Sequence, residues 1–251
     1  MNNTPSSIQR VALVSGGGTG IGRAICLRLA RDGLKVVVVW SRSAEGARQT
    51  VASIEAAGGT ACALRANIAE ETDVQSLFAA VQACYGRLDV LINNAGIGHM
   101  KSFENISMAA YDQIFSVNAR GTFMMCREAA RCIEAGGRIV NISSGITVAN
   151  SEGMALYAGS KAALEAFSKV LARELAPRGV TVNIVSPGMT DTPMLEGGDA
   201  AMLRKVGASL AAMKRLGQPE DVADGVAALV SPDGRWITGQ NIHVDGGTII
   251  V

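Results

Sequence analysis

"VALVSGGGTGIG", residues 11–22, runs from an apolar segment through Ser15 into glycine. A short apolar run bounded by glycine is the pattern of a strand buried on both faces. "GIGRAICLRLARDG" then carries helical spacing. Gly16, Gly20 and Gly22 stand in a G-x-x-x-G-x-G arrangement. Glycine lets a backbone turn sharply and come close to a pyrophosphate, and a helix starting near Gly20 points free N–H groups at the anion. A glycine-rich loop alone is weak evidence, but its place after the first strand favours nucleotide binding.

The alternation of strand and helix continues outward from this stretch. "KVVVVW" (35–40) reads as a strand and "SAEGARQTVASIEAAGG" as the helix after it. "TACALRA", "DVLINNAG", "GRIVNISS", "VTVNIVSPG" and "NIHVDGG" supply five more strands. Near-continuous apolar strands joined by helices predict an α/β fold, a doubly wound parallel sheet of about seven strands covered on both faces. No Pro- or Ser-rich linker or repeat divides the chain, so residues 1–251 are expected to form a single domain, with 1–8 flexible.

Composition narrows the function classes. Lys plus Arg (23) nearly balance Asp plus Glu (22), which removes an electrostatic case for nucleic acid or a membrane surface. Aromatics are only 4%, too few for base-stacking platforms. "MNNTPSSIQR" shows no basic start followed by a long apolar run, and no other run suits a membrane helix. A cytoplasmic protein without a signal peptide is expected. The five cysteines form no C-x-x-C pair and mostly lie in apolar periodic segments, where buried free thiols are the ordinary reading. With His99 and His243 the only histidines, no metal site is expected.

In a doubly wound sheet, ligands bind at the carboxyl ends of the strands. Those ends read "SGGGTGIG", "WSRS", "ANIA", "NNAGIG", "SSGIT" and "SPGMTDTPM". An acidic residue after the second strand would bind a ribose 2′-hydroxyl, but no Asp or Glu lies between Val36 and Ala44. "WSRS" instead offers Arg42, whose guanidinium suits a 2′-phosphate, flanked by the hydroxyls of Ser41 and Ser43.

"YAGSK" (157–161) opens a long helical pattern. With Tyr157 as zero, Lys161 lies near +40°, Leu164 near −20°, Leu171 near −40° and Leu175 near 0°, each to about 20°. Lys169, Arg173 and Glu174 fall roughly 100° or more away. Tyr157 and Lys161 therefore continue the apolar stripe, an unusual place for lysine unless something pairs with it. A nearby ammonium favours phenolate, so the pair can form an acid/base out of tyrosine.

These residues give the chain a resemblance to the short-chain dehydrogenases/reductases, over nearly its whole length. It is carried by the glycine loop 16–22, "NNAG" (93–96), Asn118 in "VNARG", Ser144 in "NISSG", "YAGSK" and "PGMTDT" (187–192). The likeness is strongest to bacterial carbonyl and 3-oxoacyl-thioester reductases, and implies a Rossmann-like fold. It assigns Asn118, Ser144, Tyr157 and Lys161 as catalytic. Ser144 is chosen over Ser143 because it stands at the family's spacing of 13 residues before Tyr157. In that mechanism Ser144 donates to the substrate oxygen, Tyr157 moves the proton, Lys161 binds the nicotinamide ribose and lowers the tyrosine pKa, and Asn118 holds a water.

The resemblance also implies a dinucleotide cradle. Its first part is Ser15, Gly16, Gly18, Thr19, Gly20, Ile21 and Gly22. Ser41, Arg42 and Ser43 with Asn67 and Ile68 take the adenosine half. Asn94, Ala95 and Gly96, then Tyr157 and Lys161, and finally Pro187, Gly188, Thr190 and Thr192 line the rest. Ser15 replaces a more usual threonine, Asn67 stands where the family often has an aspartate, and Thr19 sits where many NADPH-using relatives have a second arginine. The preference for NADP(H) over NAD(H) therefore rests mainly on Arg42.

The loops after strands four, five and six are expected to contact substrate. They hold His99 and Met100, then Ile146, Val148 and Met154, then Met189, Met194, Leu195 and Met202. Ser144, Ile146, Met154, Tyr157, Met189 and Met194 are the expected substrate residues, in an apolar, adaptable pocket. His99 reads as an exposed loop histidine without a role. Residues 190–215 mix Gly, Met and charge and read as a mobile lid. The family implies a homotetramer or homodimer through the fifth and sixth helices and the last strand, and "MAAYDQIFSVNARGTFMMCREAA" (108–130) is compatible with that. The expected function is hydride transfer between NADP(H) and a carbonyl/secondary alcohol pair on a small molecule. A non-catalytic NAD(P)-sensing protein is the alternative, since fold alone does not fix function.

Overall fold

The computed structural model describes residues 9–196 and 199–250. The expectation of flexibility at 1–8 lies outside these, as do two residues, 197 and 198, of the expected lid.

The chain runs β1 (Val11–Ser15), α1 (Gly20–Arg31), β2 (Lys35–Trp40), α2 (Ala44–Ala56), β3 (Ala61–Arg65), α3 (Glu71–Tyr85) and β4 (Leu88–Asn93). It continues through α4 (Met108–Phe115), α5 (Thr122–Cys132), β5 (Ile133–Ile142), the single turn α6 (Ile146–Ala149) and α7 (Ala155–Leu175). β6 (Thr181–Pro187), α8 (Ala200–Leu210), α9 (Pro219–Val230) and β7 (Asn241–Val244) complete it. The seven strands are parallel, in the order β3-β2-β1-β4-β5-β6-β7.

Alternation along the strands divides the core into two layers. Val11 and Leu13 join Val37, Val39 and Leu91 on one face of the sheet. Ala12 and Val14 join Val36, Val38 and Ile92 on the other. Each large apolar side chain removed from water contributes about 1.5–3 kcal/mol, which is why such runs cannot serve as half-exposed strands. Because β1 lies between β2 and β4, the connections leave to opposite sides, and the crevice above β1 and β4 is where this topology places a ligand.

Three local features depart from the sequence expectation. β5 begins at Ile133, before "GRIVNISS", and its pairing with β4 shifts register between Leu88 and Val90. A π-helical stretch, Ser116–Gly121, links α4 to α5 and carries Asn118. Of the five cysteines, Cys26 and Cys126 are buried, but Cys84 and Cys132 lie on the surface because their helices end there. Among the described residues no helix is long and apolar enough to cross a membrane.

Candidate active site

The β1–α1 loop is built by leaving side chains out. Gly16 and Gly20 have φ of +66° and +50°, a region that disfavours other residues. A Cβ on Gly16 would stand 2.9 Å from the Asn94 amide nitrogen, and one on Gly22 would strike both that nitrogen and the Gly16 carbonyl oxygen. A Cβ on Gly18 would meet Ala47 N at 2.9 Å and Ser43 O at 3.2 Å, so the loop packs directly on the start of α2. Thr19 caps α1 without a side-chain hydrogen bond, leaving the first-turn N–H groups of the helix open to an anion. Thr192 reaches this loop from the far side of the crevice, 3.2 Å from where a Cβ on Gly20 would be.

Ser15 lies fully buried beneath the loop. Its hydroxyl accepts from Asn94 N at 3.0 Å and Ala95 N at 3.1 Å, and the Asn94 amide donates to Ser15 O at 3.0 Å. Ser15 and Asn94 thus lace the glycine loop to "NNAG" from below, with the Ser15 hydroxyl turned away from the crevice. Thr190 is likewise turned inward, its hydroxyl donating to Gly188 O at 3.0 Å. Ile68 is buried, with its carbonyl packed on Gly121. Asn67 accepts from Ala69 N at 3.2 Å through its amide oxygen, which retains one lone pair.

Arg42 is exposed at the turn beside the glycine loop. The nearest acid along the chain, Glu45, is held by Arg48 and Gln49, so Arg42 has no ion pair among the described residues. The glycine cradle, the open N-terminus of α1 and this uncommitted guanidinium fit a dinucleotide with an additional phosphate.

The chemistry-bearing side chains meet across the crevice. Asn118 is fully buried: Oδ1 accepts from Ile97 N at 2.9 Å, and Nδ2 donates to Ile97 O at 2.9 Å and Ser160 Oγ at 3.1 Å. Ser160 donates in turn to Tyr157 O at 2.8 Å. Burial raises the pKa of the Tyr157 phenol, and the nearby Ser144 hydroxyl, which accepts from Ile146 N at 3.3 Å, draws it part of the way back. Ser143 points elsewhere, donating to Glu165 at 2.5 Å. The two adjacent serines therefore have different partners, and Ser144 is the one facing the phenol.

Lys161 is buried, as the stripe on α7 predicts. Its Nζ donates to Ile142 O at 2.7 Å and stands 5.8 Å from the Tyr157 ring centroid. Burial lowers its pKa to about 8, with Glu165 acting in the opposite direction. A Cβ on Gly96 would lie 3.3 Å from both Lys161 Nζ and Asn118 Oδ1, so the loop glycine admits both groups. Sequence reading missed Glu165, whose partners Ser143 and Thr147 lie on another element.

On the open side, Ile146, Met154 and Met189 are half-buried and Met194 is exposed. The Met194 sulfur sits 3.8 Å from a Cβ position on Gly98, and Met100 lies 3.3 Å from one on Gly153. An open cavity of about 450 Å³ at Met154 is also lined by Phe103, Asn150, Glu152 and Ala158, among others. Phe103, highly exposed, was not anticipated. His99 is half-buried rather than exposed, with its Nδ1 enclosed and without a partner among the described residues. The segment after β6 leaves and returns at one place: Thr190 bridges Gly217, Asp191 N donates to Gly217 O at 2.9 Å, and Gly217 N to Met189 O at 3.1 Å. Within it α8 is capped by Asp199 and tied back by Arg204 to Asp191 at 2.8 Å.

A parallel sheet with a glycine cradle at its switch point and a Ser–Tyr–Lys cluster opposite defines a dinucleotide-dependent oxidoreductase. Residues 16–248 match the family profile described as enoyl-(acyl carrier protein) reductase. A short-chain dehydrogenase from Burkholderia cenocepacia J2315, solved with NADP, is 42% identical, with a TM-score of 0.90 over 96% of this chain and 98% of that one. The angucycline C-6 ketoreductase LanV with bound NADP is 36% identical, with a TM-score of 0.90 over 96% of both chains. A tetrahydroxynaphthalene reductase from Pyricularia oryzae is 34% identical over 95% of this chain and 89% of its own. The chain belongs to the short-chain dehydrogenase/reductase family.

Proposed function

We propose that this protein uses NADP(H) to interconvert a ketone and a secondary alcohol, and that its substrates are fused-ring aromatic ketones. The observation that carries the reaction is the grouping of the Ser144 hydroxyl, the Tyr157 phenol and buried Lys161 at one place in the crevice. Two hydroxyls converging on one point suit a single carbonyl oxygen, one as hydrogen-bond donor and one as proton donor. Bound NADP(H) supplies the hydride. Ser144 steadies the developing oxyanion, Tyr157 gives it a proton, and the Lys161 ammonium stabilises the phenolate left behind. Asn118 braces the backbone at Ile97 and, through Ser160, the turn of α7 that carries Tyr157.

Arg42 supports NADP(H), and two of the similar structures were solved with NADP. The substrate class is supported by the apolar mouth formed by Met100, Phe103, Met154 and Met194, and by the names of the naphthalene reductase and the ketoreductase. A sensing protein would gain nothing from grouping Ser144 and Tyr157 beside a buried lysine. The test follows the reduced-nicotinamide absorbance with NADPH or NADH and 2-tetralone, a bicyclic aromatic ketone, against a small aliphatic ketone. Oxidation of NADPH by 2-tetralone is expected; no turnover with any ketone would defeat the proposal.

The assembly is a homotetramer in this reading, in the cytoplasm. Its support is apolar surface on two faces: Phe123 of α5 and Val170 of α7 on one, Trp236 and Ile242 near β7 on the other. Light scattering checks the mass, and cell fractionation the compartment.

A further inference from the structure

Glu165 lies one helical turn beyond Lys161 on α7, half-buried against the segment joining β5 to α6. Its Oε1 accepts from Ser143 Oγ at 2.5 Å and Thr147 Oγ1 at 3.0 Å. Those two residues bracket Ser144 along the chain. Thr147 Oγ1 also lies 3.1 Å from the Ser144 carbonyl oxygen, so the same hydroxyl reaches both the carboxylate and the serine's backbone. Lys161 grips the other end of this segment through Ile142 O. Helix α7 therefore holds the strand end at two points, with Ser144 between them.

The charge of Glu165 matters as well as its shape. On α7 the Tyr157 ring centroid lies 5.8 Å from the buried ammonium, and Glu165, one turn beyond Lys161, raises its pKa without closing an ion pair among the described residues. β5 offers it the Ile142 carbonyl, and Asn118 Oδ1 stands with it around Gly96. Glu165 is the carboxylate of this group, and both hydroxyls bond to the same oxygen, leaving Oε2 without a partner among the described residues. A buried ammonium is costly without a counter-charge.

We propose that Glu165 is a positioning residue that clamps the Ser144 segment to α7 and supplies the counter-charge for Lys161. This rests on the roles given to Ser144, Tyr157 and Lys161 above. Glu165→Gln keeps an oxygen for both hydroxyls and removes the charge, whereas Glu165→Ala removes both. The sign follows from Lys161: burial lowers its pKa to about 8 while the carboxylate raises it, so losing the carboxylate lowers it further. Protonated Lys161 is then lost at lower pH.

The experiment measures, for wild type and both variants, the NADPH dissociation constant by fluorescence and the rate of 2-tetralone reduction across pH. In Glu165→Gln the alkaline limb of both is expected to move down by roughly half to one pH unit. Glu165→Ala should show the same shift together with a loss of kcat of about tenfold or more, because the Ser144 segment is no longer clamped. The proposal is overturned if the binding limb of Glu165→Gln coincides with that of wild type, or if Glu165→Ala and Glu165→Gln have the same kcat. Should the wild type reduce no ketone, the proposed function fails, and the binding limb alone decides the role of Glu165.

Discussion

The two sides of the crevice are made in opposite ways. The glycine loop is a surface from which side chains have been removed, so that backbone N–H groups and the start of α1 face the ligand. The β5–α7 side is a set of polar side chains taken out of water and held by one another. The first fails when an atom is added and the second when one is removed. A binding surface needs close approach, while acid/base chemistry needs a group at a fixed point with a chosen charge.

The largest expected effect is on the chemistry side. Tyr157→Phe should lose about 10²–10⁴ in kcat while folding and binding NADPH normally. Steady-state rates within a few-fold of wild type would erase the distinction between the two sides. Ser144→Ala comes next, at about 10²–10³ in kcat for the loss of one oxyanion donor. Ser143→Ala should cost much less, because Thr147 still holds Glu165; a comparison of the two variants on one ketone is the check, and a larger loss at Ser143 would reassign the donor.

On the binding side the sign of the change is reversed. Gly22→Ala adds a methyl where the Gly16 carbonyl and Asn94 amide already meet. Overpacking of this kind costs about 1–3 kcal/mol, so both the melting temperature and NADPH affinity should fall. Unchanged binding in a calorimetric titration would show that the loop has slack. Arg42→Ala is expected to be the mildest, because the group is exposed and screened by salt. A charged hydrogen bond contributes about 1.5–3 kcal/mol, so NADPH should lose roughly 10- to 100-fold, nearer the lower figure, with NADH nearly unaffected. Equal losses for both cofactors would make Arg42 a solvated surface residue.

Local sequence reveals what periodicity and glycine record. The parallel sheet was legible because its strands are apolar on both faces, and Lys161 was legible because it interrupts an apolar stripe on α7. Glu165 was not, since it lies roughly 80° from Tyr157 around the helix and its partners come from the β5–α6 connection and from α6. The buried amide chain was equally hidden: Asn93 donates to Asn141 at 2.8 Å and Asn141 to Ser168 at 2.7 Å, each on a different element. Polar residues inside apolar strands are tolerated only when such partners exist, and only the folded sheet supplies them. The π-helical turn that carries Asn118 is likewise held from elsewhere, by the backbone of Ile97 and by Ser160 of α7. The direction of the Ser15 hydroxyl depends on the neighbouring strand, which is why the residue reads from sequence as a ligand contact and sits in the fold as a tether.

The bridge between Thr190 and Gly217 gives the segment between them a kind of modularity. Its two roots are fastened to each other at the sheet, so what lies beyond them can change without altering the register of β6 or β7. Lengthening such a closed segment is cheap: each doubling of a flexible loop costs only about 0.6 kcal/mol. Additions to the segment therefore need not renegotiate the fold. The sheet and the Ser–Tyr–Lys cluster form a fixed chassis, and the tethered segment is a part that can lengthen without disturbing either.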